Sequence, residues 1–166
     1  YSEFDFEGAI IANNTVDGAE VGVSVANFNV GGRLAVVQGN IFRNLAPRHR
    51  PGEPEGAHGM GIYVEADSAV TGNVVENATF AGIMAGYGPY LRDVTITGNV
   101  VRAADIGVAV SVVPGAGGVV IADNMISGSR RGAIMGMDHE KVITGDLTRD
   151  GAARYAQLAI SGNRVN

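Results

Sequence analysis

The pentapeptide TGNVV stands at residues 71–75 and again at 97–101. Recurrence at a fixed spacing signals a repeated structural unit. Looser copies extend the series: ANNTV at 12–16, QGNIF at 38–42, ADNMI at 122–126 and SGNRV at 161–165. The shared asparagines are Asn14, Asn40, Asn73, Asn99, Asn124 and Asn163, with spacings of 26, 33, 26, 25 and 39, so a unit of about 25 residues carries two insertions. Three positions before each asparagine stand Ile11, Val37, Val70, Ile96, Ile121 and Ile160; two after it stand Val16, Phe42, Val75, Val101, Ile126 and Val165. The residue just before it is Asn13, Gly39, Gly72, Gly98, Asp123 or Gly162. Gly, Asn and Asp are the types that accept positive φ, so this column predicts a tight bend between two short strands.

A third strand follows each bend: VGVSV (21–25), GIYVE (61–65), GIMAG (82–86), GVAVS (107–111) and GAIMG (132–136). Their alternation predicts one apolar column pointing inward and a mixed column of Tyr63, Met84, Ala109 and Ile134 pointing outward. Three short strands per repeat, with corners of Gly, Asn and Asp, predict an all-β fold: a right-handed parallel β-helix of about six coils, spanning residues 1–166 as one domain. Its asparagines would superpose at one corner and bond along the stack. A leucine-rich repeat is disfavoured by the presence of only five Leu, and a hexapeptide β-helix by the spacings.

Composition agrees. The 166 residues include 25 Gly, 6% aromatics, no Cys and no Trp, with the apolar share carried by Val, Ile and Ala, which favour strands. A formal charge of −5 argues against a nucleic-acid partner, and the absence of Cys excludes a disulfide scaffold. The longest uncharged run, 106–122, is interrupted by Pro114 and four glycines, so membrane insertion is not expected. The chain starts at Tyr1 without a signal sequence and stops at Asn166 within a repeat. It therefore reads as a segment of a longer solenoid, whose adjoining coils would be its nearest partners.

The G-N-x-V corner followed by G-I-x-V, clearest in AHGMGIYV at 57–64, resembles the parallel β-helix repeat of the pectate-lyase-like superfamily. The Gly- and Ala-rich character, with Arg as the main basic residue, is similar to a bacterial family of twin-arginine-exported repeat proteins. These resemblances imply a periplasmic or secreted bacterial protein and a polysaccharide partner. They do not specify a reaction.

Chemistry on such a scaffold belongs to outward side chains and inserted loops. The inserts are 44–60, NLAPRHRPGEPEGAHGM, and 136–155, GMDHEKVITGDLTRDGAARY. They flank the third-strand column and would border a groove with Tyr63 on its floor and Tyr87, Tyr90 and Arg92 of GYGPYLR at its edge. Aromatic rings and Arg suit an acidic polysaccharide, because sugars stack on rings and uronate carboxylates pair with guanidinium. A lyase or C5-epimerase needs a base next to the sugar carboxylate and a cation to neutralise that carboxylate. The catalytic candidates are His58, His139 and Tyr63. Glu65, Tyr87, Tyr90, Arg92, Asp138 and Glu140 are the substrate-binding candidates. The competing reading of each His is a turn residue bonded to backbone, and that of the whole chain is a non-catalytic solenoid that binds glycan or serves as a surface or envelope spacer.

Several signatures are incomplete. AHG at 57–59 has Ala where polygalacturonases carry the first Gly of G-H-G, and no adjacent Asp pair accompanies it. MDHE at 137–140 lacks the Asp-Pro-His order of alginate epimerases, and the paired Asp and Arg residues of pectate lyases have no counterpart. Asp146 and Asp150 do not make a recognised calcium loop, so neither a cofactor nor a metal is expected, and Ca²⁺ has no support in the sequence.

Overall fold

The computed structural model describes residues 7–26, 33–48 and 59–166. Its strands follow one another in coils. The first coil holds β1 (Glu7–Ala12), β2 (Thr15–Asp17) and β3 (Val21–Val25), and the second β4 (Arg33–Gln38), β5 (Ile41–Leu45) and β6 (Met60–Val64). The third holds β7 (Ala66–Thr71), β8 (Val74–Ala78) and β9 (Ala81–Ala85), and the fourth β10 (Arg92–Thr97), β11 (Val100–Arg102) and β12 (Ile106–Ser111). The fifth holds β13 (Val119–Ala122), β14 (Met125–Ser127) and β15 (Gly132–Asp138), followed by an extra strand, β16 (Lys141–Asp146). The sixth begins with β17 (Leu158–Ser161) and β18 (Arg164–Val165).

These strands stack into three six-stranded sheets, ordered β1-β4-β7-β10-β13-β17, β2-β5-β8-β11-β14-β18 and β3-β6-β9-β12-β15-β16. Every pairing is parallel except β15 with β16. The result is the expected right-handed parallel β-helix of about six coils. Ile11, Val37, Val70, Ile96, Ile121 and Ile160 lie in one register line, as do Val16, Phe42, Val75, Val101, Ile126 and Val165. Except for exposed Val165, both lines face the central core, and burying one Ile or Val side chain contributes about 1.5–3 kcal/mol.

The bend column behaves as its residue types require: Asn13, Gly39, Gly72, Gly98, Asp123 and Gly162 all have φ between 55° and 65°. Beside it the asparagines form a directional ladder. Asn73 donates its backbone N–H and its Nδ2 to Asn99 Oδ1, at 3.0 Å each, and Nδ2 also reaches the Val37 carbonyl at 2.9 Å. The same pattern links Asn14 to Asn40, Asn40 to Asn73, Asn99 to Asn124 and Asn124 to Asn163. Asn40, Asn73, Asn99 and Asn124 are buried, which is tolerable because each amide is fully bonded.

The third sheet departs from simple alternation. Met60 and Tyr63 sit in an outer cluster, whereas Ile62 and Val64 belong to the central core. The irregularity lies at a glycine column, Gly22, Gly61, Gly82 and Gly107. A Cβ on Gly61 would come within 2.5 Å of the Gly82 carbonyl oxygen and of Val75, and one on Gly107 within 2.5 Å of the Ala133 carbonyl. At these four positions only glycine allows the second and third sheets to meet this closely.

The molecule departs from the sequence expectation in two places. Val108 pairs with Ile134 and Ala109 with Met135, so Ile134 points into the core and Met135 occupies the outward column. The fifth coil has Ala133 at the level of the glycine column, which shifts its alignment by one residue relative to a match made on Gly132. The second insert is also not all loop. KVITGD alternates between exposed and half-buried positions and forms β16, which turns back antiparallel along the edge of β15.

Candidate functional site

The candidate residues fall on the outer face of the third sheet and the corner that leads from it into the first sheet. That outer face is apolar: Met60, Tyr63, Phe80, Ala81, Met84, Ile106, Ala109, Met135 and Met137 form a second cluster, all buried. Among the described residues, Val21, Ala26, Tyr87 and Val142 pack against it. Met84 is 2% exposed and Ala109 0%, so the floor of the expected groove is covered.

Tyr63 is buried in this face, and its hydroxyl donates to Glu65 Oε1. Glu65 lies at the end of β6, where the chain turns toward β7, and is completely buried. Its carbonyl oxygen accepts the Arg92 N–H at 3.0 Å. Tyr63 and Glu65 therefore form one buried pair, two residues apart on the same side of the strand.

The next corner along the stack is GYGPYL, whose Gly88–Tyr90 segment makes a 3-10 turn. Ser111 of the following coil supports it by donating from Oγ to the Gly88 carbonyl at 2.6 Å. Half-buried Tyr87 points back over the apolar face, while Tyr90 is exposed. The second insert arrives over this turn. The His139 ring meets the Tyr87 ring edge-on at 4.7 Å between centroids. A Cβ on Gly88 would approach His139 Nε2 to 2.5 Å, so the imidazole lies directly on that glycine. On its other side, His139 Nδ1 is 2.7 Å from Asp138 Oδ1. Asp138 and Glu140 are exposed at the tip of the β15–β16 hairpin.

Arg92 belongs to a different set of contacts. Its guanidinium grips Asp67 of the preceding coil, Nη2–Oδ2 at 2.8 Å and Nε–Oδ1 at 3.2 Å. The hydrogen bond to Asp67 outweighs partial burial and raises the Arg92 pKa above its ordinary value. Arg92 thus ties two coils together at the start of the first sheet.

The structure therefore brings Tyr63, Glu65, Tyr87, His139 and Asp138 to one face; Tyr90 and Arg92 adjoin it through backbone bonds to the Tyr87 and Glu65 carbonyls, while the Arg92 guanidinium is held by Asp67. His58 lies outside the described residues. Asp67 and Ser111 were missed in the sequence reading, because their roles appear only once residues about 25 positions apart are superposed. Among the described residues, no three His, Asp or Glu side chains converge in a way that could hold a metal ion. Comparison with protein-family models, with curated proteins and with solved structures found no match, so the family resemblance adds nothing beyond the β-helix architecture that the strand pairing shows.

Proposed function

We propose that this chain is a non-catalytic β-solenoid, a rigid rod whose third-sheet face is sealed rather than open to a polymer. One observation carries this reading. The two groups that a uronate lyase would need side by side are each engaged elsewhere, the Tyr63 hydroxyl by Glu65 and the Arg92 guanidinium by Asp67. Proton abstraction next to a sugar carboxylate requires a base and a neutralising cation at one point. Among the described residues, the sealed, Met-rich floor exposes no ring on which a sugar could stack.

A second reading is favoured by the His139–Asp138 pair. In this reading the exposed imidazole, oriented by a carboxylate and set against Tyr87, is the base of a lyase or C5-epimerase acting on an acidic polysaccharide. One experiment separates the two. The full-length protein is incubated with a panel of uronic-acid polymers, with and without Ca²⁺. Product is followed by the ultraviolet absorbance of unsaturated uronates and by solvent exchange at C5. The solenoid reading expects neither signal. Turnover abolished by His139→Ala would replace it with the enzymatic one.

A further inference from the structure

We infer that the turn following β16 builds a binding site for a small oxyanion, a carboxylate, sulfate or phosphate group carried on a sugar-sized molecule. This inference is independent of the catalytic question, since it concerns a different part of the surface. A cavity of about 440 Å³ opens between the fifth coil and the second insert, and Arg131, Arg149 and Arg154 all line it. An adjoining cavity of about 320 Å³ shares Arg131 and Arg149 and adds Arg130. Four of the twelve basic residues of a chain with net charge −5 are thus gathered at one place.

Like charges repel unless something neutralises them. Asp146 lies between the arginines, but its carboxylate is fully engaged. It accepts the Ala133 N–H at 2.8 Å, the Ile134 N–H at 3.3 Å, and the Thr148 N–H and hydroxyl at 3.0 and 2.8 Å. Arg131 makes a loose 3.7 Å contact with Asp105, which Arg130 already engages at 3.2 Å. Among the described residues, the guanidinium groups of Arg149 and Arg154 make no ion pair, and Asp150 is the other acid on the cavity wall.

The site is held in place by the backbone. The N–H groups of Arg149 and Asp150 donate to the Asp146 carbonyl at 3.0 and 3.2 Å, and Gly151 at φ 85° starts the 3-10 turn Ala152–Arg154. Both arginines therefore leave a turn that Asp146 fastens to the base of β15. Ser129 also lines the smaller cavity, its Oγ buried toward Gly107. Guanidinium forks match planar or tetrahedral oxyanions, and half-buried Tyr155 lines the larger cavity with them.

Isothermal titration of the whole protein tests this with inorganic phosphate, sulfate, glucuronate, glucose 6-phosphate and neutral glucose as probes. At least one anion should bind saturably and more weakly as salt is raised, and glucose should not bind. The tightest probe identifies the anion type. Arg149→Gln and Arg154→Gln should each weaken binding about tenfold, the loss of one charge-assisted contact. Arg154→Lys keeps the charge but not the fork and should fall between. Arg43→Gln, in the second coil and paired with Asp17, should bind as the parent does. Circular dichroism confirms that each variant is folded. The inference is overturned if no anion binds, or if binding is unchanged when Arg149 and Arg154 are both replaced.

Discussion

Asn99→Asp exchanges one NH₂ group for an oxygen in the middle of the ladder and should destabilise the protein in a pH-dependent way. Asn99 Nδ2 lies 3.0 Å from the Val70 carbonyl, 3.2 Å from the Thr97 carbonyl and 3.0 Å from Asn124 Oδ1. An ionised aspartate turns an acceptor toward these three acceptors and leaves two backbone carbonyls without this donor. At about 1–3 kcal/mol for each unsatisfied buried group, the loss is about 2–6 kcal/mol at neutral pH. For a chain of this length that lowers the melting temperature by about 5–20 °C. The Oδ1 side is spared, because the carboxylate still accepts from Asn73. Burial among acceptors disfavours the charged form, so the folded-state pKa of the new carboxyl is raised above its unfolded value of about 3.9. Stability relative to the parent is therefore best retained below about pH 4 and lost as pH rises through the folded-state value. Thermal melts by circular dichroism at pH 4 and pH 7, parent and variant side by side, check both parts. Asn163→Asp, at a half-buried rung, should lose less. A variant melting within about 2 °C of the parent at pH 7, or losing more at pH 4 than at pH 7, would refute the ladder energetics.

Gly82→Ala should destabilise by about 1–3 kcal/mol, because its Cβ would overlap Val101 and come within 2.8 Å of the Gly107 carbonyl. Gly118→Ala, whose Cβ would meet nothing closer than Asp93 at 3.6 Å, should melt with the parent, and equal melting of both variants would contradict the glycine column. Asp146 is pushed up by burial, but the N–H of Ala133, the hydroxyl and N–H of Thr148 and the N–H of Ile134 prevail and hold its pKa below 3.8. Its contribution is therefore present above the unfolded carboxylate range and lost as pH falls through the folded-state value. Asp146→Ala should be less stable than the parent at pH 7, with the difference shrinking in acid, as read from urea midpoints across pH.

The fold was legible because the corners have almost no chemical freedom. Only Gly, Asn and Asp accept the bend, and only an amide can both give and take along the stack, so the same letters return at every coil. The third sheet was harder to read. Its alternation suggests that Tyr63 faces outward but says nothing of what lies on top, and the buried Tyr63–Glu65 pair depends on that cover. The shift that brought Met135 rather than Ile134 outward arises because Ala133, not Gly132, is level with Gly107. Arg92 looked like a ligand-binding cation because its partner, Asp67, is distant in sequence and near only through the register. The arginine cavity joins the pair at 130–131 to TRDGAAR at 148–154, and the turn that unites them is set by hydrogen bonds to Asp146, which no spacing rule encodes.

The ladder has a direction: each asparagine accepts from the coil before it and donates to the coil after it. Every junction is thus the same plug and socket, and a whole coil can be removed or added without inventing a new contact at that corner. The two copies of TGNVV make such an event seamless at the level of the gene. Excising residues 74–99, which are 26 in number, rejoins TGN to VV and restores the identical pentapeptide, with Asn73 now facing Asn124. Unequal exchange between the copies would lengthen or shorten this rod by about 4.8 Å per coil, leaving natural selection to act on length itself.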